Sequence, residues 1–401
     1  MRNYYYFSFC CLLHFFLTSC SESSKTANDI SPVKEIKLIS SLTERTMPLS
    51  ALYEIESYIP LDTGEEVFIG EIGKIMVVRD TIWILDPIVE QVLGFTADGK
   101  LVTVIAQKGE GPGKYKRISD VAVSKEAIYV YDAWSGSMLK FAWNGKLLDE
   151  NKMKISTSHF EVLPDGGFAF YHDYTANEGK GEDEVHYNLT LTDENLQVKS
   201  QHLVNELLPA PEFLISNHKS FSKNGDELLV IESYQNVVYR IEDEGVVPYL
   251  KFNWSDHHDA HRKELFKNTR SGDWSVERTM DFEHKEELGR IVELQENDKV
   301  LIGTYFKNGI VYHVFYDKEG GQVLELQKKM TADAHPVALI NDLDNTLYYP
   351  LLAAQGNSFY SYTDAFQLGS GEVISERIKE LLSRLSEDPN PIIVKLKIKP
   401  F

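Results

Sequence analysis

Three imidazoles stand close together at His257, His258 and His261, with Asp259 between them. On a helix, His257 and His261 are four residues apart on one face and could grip a metal together with a carboxylate. No Glu occupies the place that His-Glu-x-x-His metallohydrolases give their general base, and the flanking residues are charged. A solvated surface helix is the simpler expectation.

A second set of groups recurs. Asp86, Asp132, Asp173 and Glu232 each close a short strand. As a ring of acids at one mouth of a channel they would hold Ca²⁺ or a cationic ligand. As turn residues they would accept hydrogen bonds from backbone amides two residues on. Recurrence at one place in a repeat favours the turn. Aromatic residues fall near strand ends as well: Trp83, Tyr115, Trp134, Tyr174, Tyr234 and Tyr305. Such rings can stack on sugars, although packing is their default use. Trp134, followed by Ser135 and Gly136, is the best candidate for an exposed platform.

Gly109 to Lys114 invites comparison with a phosphate loop, but the GxxxxGK[ST] spacing fails and Tyr115 follows the lysine. An inter-blade loop is expected there, with the glycines setting a tight turn. No nucleophile-elbow, zincin or paired-acid motif is present.

The elements that would position these groups repeat. The first copy reads Thr81 to Asp86, Gln91 to Phe95, then a turn from Ala97 to Lys100. The second reads Ala127 to Asp132, Ser137 to Phe141, then Trp143 to Lys146, with Asp86 and Asp132 separated by 46 residues. Looser copies follow from Gly167, Glu227 and Lys299, and a sixth opens at Thr346 and resumes at Pro391. Alternation at period two marks half-buried strands, and Asp-Gly and Asn-Gly mark hairpin turns. One such meander cannot bury both of its faces; a ring of them can. The expected fold is all-β, a six-bladed β-propeller. The strand Tyr53 to Leu61 is placed to pair with the C-terminal strand near Val394 and close the ring. Two helical insertions are expected, at 255–290 and at 372–387, the latter with an apolar stripe of Val373, Ile374, Ile378, Leu381, Leu382 and Leu385.

Composition narrows the function classes. The chain has 401 residues, with 41 Lys+Arg against 61 Asp+Glu, a formal charge of −20. That surface repels phosphate backbones, so nucleic acid is not an expected partner, and a basic patch on anionic lipid is equally disfavoured. Only three Cys are present, at 10, 11 and 20. The segment Tyr4 to Leu17 is apolar but short for a membrane span, and Leu17-Thr18-Ser19-Cys20 ends it. This resembles the lipobox of bacterial lipoproteins, which implies cleavage before Cys20 and lipidation of its thiol. A body without thiols after Cys20 excludes Cys catalysis, disulfides and Cys-metal sites. The expected organisation is a signal over 1–19, an anchor and polar tether over 20–48, and the propeller over 49–401.

With these pieces together the sequence resembles the six-bladed propeller lipoproteins of Bacteroidetes, related in form to NHL-repeat propellers. The resemblance rests on the lipobox, Tyr58-Ile59-Pro60-Leu61, Ile69-Gly70-Glu71-Ile72 leading to Ile82–Asp86, Gly109 to Tyr115, and the closing Glu387-Asp388-Pro389-Asn390-Pro391. It implies fold and envelope location, outer-membrane anchored, far better than activity. The expected role is a binding or interaction module for a glycan, a peptide or an envelope protein, without a cofactor. Trp134, Asp86, Asp132, Tyr115, Tyr174, Tyr234 and Tyr305 are its candidate ligand residues. The alternative is a metal-dependent lyase or lactonase-like hydrolase, which would need His and carboxylate groups from several blades to converge at the channel mouth around Ca²⁺ or another metal.

Overall fold

The computed structural model describes residues 34–38, 47–63, 67–181, 184–207, 219–232, 234–243, 245–254, 257–269, 275–286, 288–307, 310–327, 339–340, 351–370 and 374–401. Cys20 and the expected strand at 346–350 lie outside them. Six four-stranded antiparallel sheets form a ring, the six-bladed propeller. Blades 1 to 5 follow the chain at 74–105, 120–152, 159–204, 221–253 and 290–327. Blade 4 carries an extra outer strand, Lys34–Lys37, parallel to Gly245–Asn253.

Blade 6 is built from both ends of the described chain. Ala353–Gln355 pairs with Ser358–Thr363, which pairs with Ile392–Ile398, and Tyr53–Pro60 completes the sheet. Val394 faces Tyr58 in that register. The ring is therefore closed by the pairing that the alternating Tyr53 to Leu61 segment implied. The second strand of blade 6 differs from expectation. It is Ser358–Thr363, entered through a turn at Gly356, whose φ of +56° is open to glycine at little cost.

Each blade runs four strands outward from the channel. The sequence repeat captures the second and third strands and the turn to the fourth. It misses the innermost strand, which is short and precedes each unit: Lys74–Val78, Asp120–Val123, His159–Val162, Phe221–Asn224, Arg290–Glu296 and Ala353–Gln355. These six touch their neighbours around the channel. Because strands alternate in direction, the first-to-second and third-to-fourth hairpins lie at one end of the ring. The second-to-third and blade-to-blade connections lie at the other.

The core is divided in the same way. Six apolar clusters each fill the gap between two consecutive blades, closing the circle. Between blades 1 and 2, Trp83 is fully buried and stands edge-on to Trp143 at 5.5 Å. Gly94 lies across the strand pair from Trp83, and a Cβ there would sit 2.7 Å from the indole. The glycine is what lets the ring lie flat on its own sheet.

The insertions are shorter and more broken than the stripes suggest. The first consists of two helices, His258–Thr269 and Val276–Lys285, the second capped by Ser275, which accepts from the Arg278 amide at 3.2 Å. The other consists of Ala365–Gly369 and Glu376–Leu382. Ser375 accepts from the Ile378 amide and starts the latter helix at Glu376 rather than at 372. Ile378 is buried against blade 6 beside Leu368 and Ile392.

Candidate functional site: a charge-balanced channel

The innermost strands enclose a cavity of about 690 Å³ to which all six blades contribute. It lies within the range of small-ligand sites. Ten charged residues line it, in equal numbers: Lys74, Arg79, Lys125, Lys219 and Lys223 against Glu71, Asp120, Glu126, Glu161 and Asp226. This neutrality is local, since the chain as a whole carries −20.

The charges form a belt across blades 1 to 4. Lys74 Nζ lies 3.1 Å from Asp120 Oδ1 and 3.0 Å from Glu161 Oε1, and donates to the Val121 carbonyl at 2.8 Å. Lys223 Nζ meets Glu161 Oε2 at 3.1 Å and the Val162 carbonyl at 2.9 Å. Asp120 Oδ2 accepts from the Phe160 amide at 3.0 Å. Lys219 Nζ reaches Glu293 Oε1 at 2.6 Å between blades 4 and 5. Asp120 and Glu161 are 3% and 5% exposed, so their charges would be costly without these partners. Burial pushes the Glu161 carboxyl up, but Lys74 and Lys223 outweigh it and hold it below the ordinary value. Burial likewise opposes the Lys74 charge, and Asp120 and Glu161 more than restore it. The opposite wall, from blades 5 and 6, offers Gln295, Leu352, Ala353, Ala354 and Gln355. One wall is ionic, the other neutral.

None of the belt was singled out in the sequence, because Lys74, Asp120, Glu161 and Lys223 lie 41 or more residues apart and inside the inner strands that the repeat misses. The available signal was a charged residue in the strand ahead of each of the first five units.

Two of the strand-end acids, Asp86 and Asp132, have turn and stapling roles. Asp86 Oδ1 accepts from the Ile88 and Val89 amides at 3.0 and 3.1 Å, and Oδ2 from the Gly70 amide at 2.8 Å. Asp132 repeats this with Trp134, Ser135 and Lys116 at 2.9, 3.2 and 2.7 Å. Burial raises the Asp132 carboxyl, but these amides, Lys116 first, hold it below the usual range. Each acid thus ties its turn to the strand connection 16 residues earlier. In blade 3, His172 takes that place with reversed polarity: Nδ1 donates to the Ser156 carbonyl at 2.6 Å, again 16 residues away. Burial depresses this imidazole to about 4. Asp173 follows in the turn itself, at φ +50°. Glu232 is 2% exposed and accepts from Asn188 Nδ2 at 2.6 Å. Burial raises its carboxyl to about 7.

The tyrosines lie in cores. Tyr115 is fully buried and donates to the Glu90 carbonyl at 2.8 Å, which makes it the pin of the Gly109 to Lys114 turn. Tyr174 and Tyr234 pack edge-on against Phe266 of the inserted helix at 5.8 and 6.1 Å. Tyr305 stacks on Tyr312 at 4.9 Å and its hydroxyl meets Glu325. Trp83 is buried as described. Rings so enclosed offer no face to a ligand arriving from solvent. Trp134 alone among these aromatics is open, 73% exposed. The imidazole cluster is spent locally as well: His258 pairs with the Gly289 carbonyl at 2.9 Å and His261 with the Glu286 carbonyl at 3.0 Å. Among the described residues no group of three or more His, Cys, Asp or Glu is arranged to hold a metal ion.

A family model described as a domain of unknown function, DUF4934, matches residues 33–397. The chain belongs to the DUF4934 family. A solved Bacteroides fragilis NCTC 9343 protein, named as exported, is similar to this DUF4934 chain with a TM-score of 0.69 at 20% identity, over 92% of this chain and 100% of that one. A Bacteroides vulgatus ATCC 8482 member of the DUF4221 family aligns with a TM-score of 0.49 at 9% identity, over 87% and 98%. The first of these likenesses supports the fold of the DUF4934 chain and says nothing of its activity. No curated protein matches the chain. No helix among the described residues is long and apolar enough to cross a membrane.

Proposed function

We propose that the protein is an exported lipoprotein of the Bacteroidetes type, anchored through Cys20, whose propeller binds a polar ligand in the central channel. The observation that carries this is the balanced channel itself: about 690 Å³, ionic on one wall and neutral on the other. A wall of five cations and five acids neither attracts nor repels net charge. It favours a ligand with donors and acceptors of both kinds, such as a glycan chain or a short peptide with both termini charged. The neutral wall would take the less polar face of the same ligand.

The test is thermal-shift profiling of the unlipidated mature chain against panels of glycans and short peptides. At least one class should raise the melting temperature in a saturable way. Gln355→Trp, which narrows the channel from its neutral wall, should abolish that shift and leave the ligand-free melting temperature unchanged. A flat response to both panels, or a ligand shift that survives Gln355→Trp, defeats the channel reading. Lipidation is tested separately: Cys20→Ser should release the protein from membranes in cells.

A further inference from the structure

The two ends of the ring differ in a way that the channel does not explain. Phe68, Ile88, Val89, Trp134 and Phe366 are exposed large apolar residues, up to 84% at Phe366. All five stand in second-to-third or blade-to-blade connections, hence at one end of the ring, over the consecutive blades 6, 1 and 2. The hairpins at the opposite end carry no exposed large apolar residue among the described residues.

These side chains are displayed on fixed backbone. Ile88 and Trp134 occupy the same position in consecutive blades, each amide donating to the strand-end Asp two residues before it. Gly70 packs directly against Ile88, where an added Cβ would lie 3.2 Å from the Ile88 Cβ. The Phe68 carbonyl accepts from Gln91 at 2.8 Å, beside Val89. Tyr115 links the Glu90 carbonyl to the loop that also reaches Asp132. Apolar tips held this rigidly lose little conformational entropy on docking.

We infer that this end of the ring docks on the surface of a phospholipid bilayer, seating Trp134, Ile88, Phe68 and Phe366 among the headgroups. The tips rise from separate connections around a rim. A protein interface requires roughly 800 Å² of matched surface per partner, whereas the bilayer interface accepts isolated Trp, Phe and Ile tips. The chain leading into the ring is long enough for this contact. The first described strand, Lys34–Lys37, runs parallel to Leu250–Asn253 toward this apolar end, and the chain joins it at Lys34, on the side away from that end. Residues 21–33 extend at most roughly 45 Å, so a bilayer holding Cys20 is within reach; this step rests on the proposed lipidation. The chain's charge of −20 rules out attraction by charge to anionic lipid, so the contact must be apolar and insensitive to salt.

The experiment uses the chain from position 20 with Cys20→Ser, so that no acyl chain contributes, and co-sedimentation with zwitterionic phosphatidylcholine vesicles. Binding should be measurable and unchanged between low and high salt. Trp134→Ser should weaken it about tenfold and Ile88→Ser severalfold, whereas Leu148→Ser, an exposed residue on the outer strand Leu147–Lys152, should leave it as it was. Trp134, Ile88 and Leu148 are all exposed at the surface, and unchanged melting temperatures would exclude unfolding as the cause. No vesicle binding by the unsubstituted chain, or binding that Trp134→Ser and Ile88→Ser leave intact, overturns the proposal. Concentration-dependent self-association abolished by the same substitutions would also overturn it, in favour of a second copy on this face. Since no lipid is attached, failure here is distinct from failure of Cys20 lipidation.

Discussion

Replacing Glu161 by Gln removes the one carboxylate that bridges two lysines across blades 1, 3 and 4. Its oxygens stand 3.0 Å from Lys74 and 3.1 Å from Lys223, and the group is 5% exposed. Breaking a buried pair by removing one partner costs about 3–5 kcal/mol. Two features reduce that here. Lys74 keeps Asp120 and the Val121 carbonyl, and Lys223 keeps the Val162 carbonyl. Both lysine side chains are also about a quarter exposed, at 27% and 26%, so water screens what is left. The expected loss is about 2 kcal/mol at pH 7, read by urea unfolding. The pH dependence carries a definite sign. The Glu161 carboxyl lies below its ordinary 4.5 in the folded state, so its stabilisation is present above that value. It is lost as pH falls through the lowered folded value. The gap between wild type and Glu161→Gln should therefore be widest near neutrality and should close in acid. A gap below about 0.5 kcal/mol at pH 7, or one that stays constant into acid, would refute the reasoning that the belt holds the blades together by charge.

Three further outcomes are expected. Gly94→Ala places a methyl 2.7 Å from the buried Trp83 ring, so thermal unfolding should show a loss of about 1–3 kcal/mol and the near-ultraviolet circular dichroism should change. Glu232 has its carboxyl raised from 4.5 to about 7, so the folded state holds a proton that the unfolded state releases between those values, and stability falls as pH rises through that window. Glu232→Gln should accordingly stabilise the protein at pH 8, on the order of 2 kcal/mol, and little at pH 4; equal effects at both pH values would contradict this. Truncation after Asn390 deletes Ile392–Ile398, which pairs with both Ser358–Thr363 and Tyr53–Pro60, and should abolish cooperative unfolding by opening the ring.

Legibility differed by strand. Thr81–Asp86 and Ile128–Asp132 were plain in the sequence because they alternate, end in an acid and lead into a turn whose chemistry is local. The inner strands, such as Asp120–Val123 and Phe221–Asn224, are four residues long and show no turn signal of their own. In blade 6 the apolar run Thr346 to Pro350, which lies outside the described residues, drew attention from the second strand, Ser358–Thr363. Of the strand-end acids, Asp86 and Asp132 make equivalent contacts in consecutive blades, whereas His172 takes that place in blade 3. Which amides they would meet depended on connections 16 residues away.

The amino-acid sequence by itself determined the repeat, the closed ring and the pairing of Tyr53–Pro60 with Ile392–Ile398. Alternation, turn residues and the need to cover both faces of each sheet act over short spans or through simple periodicity, and these survive in a linear reading. Tertiary structure alone decided the channel and the two unlike ends. Lys74, Asp120, Glu161 and Lys223 become neighbours only when four blades close around one axis. Trp134 and Tyr115 show the same limit. Both are aromatic and near strand ends, yet one is 73% exposed and the other fully buried. The difference is set by whether another blade's loop lies over the ring, a matter of packing between distant segments that no local pattern encodes.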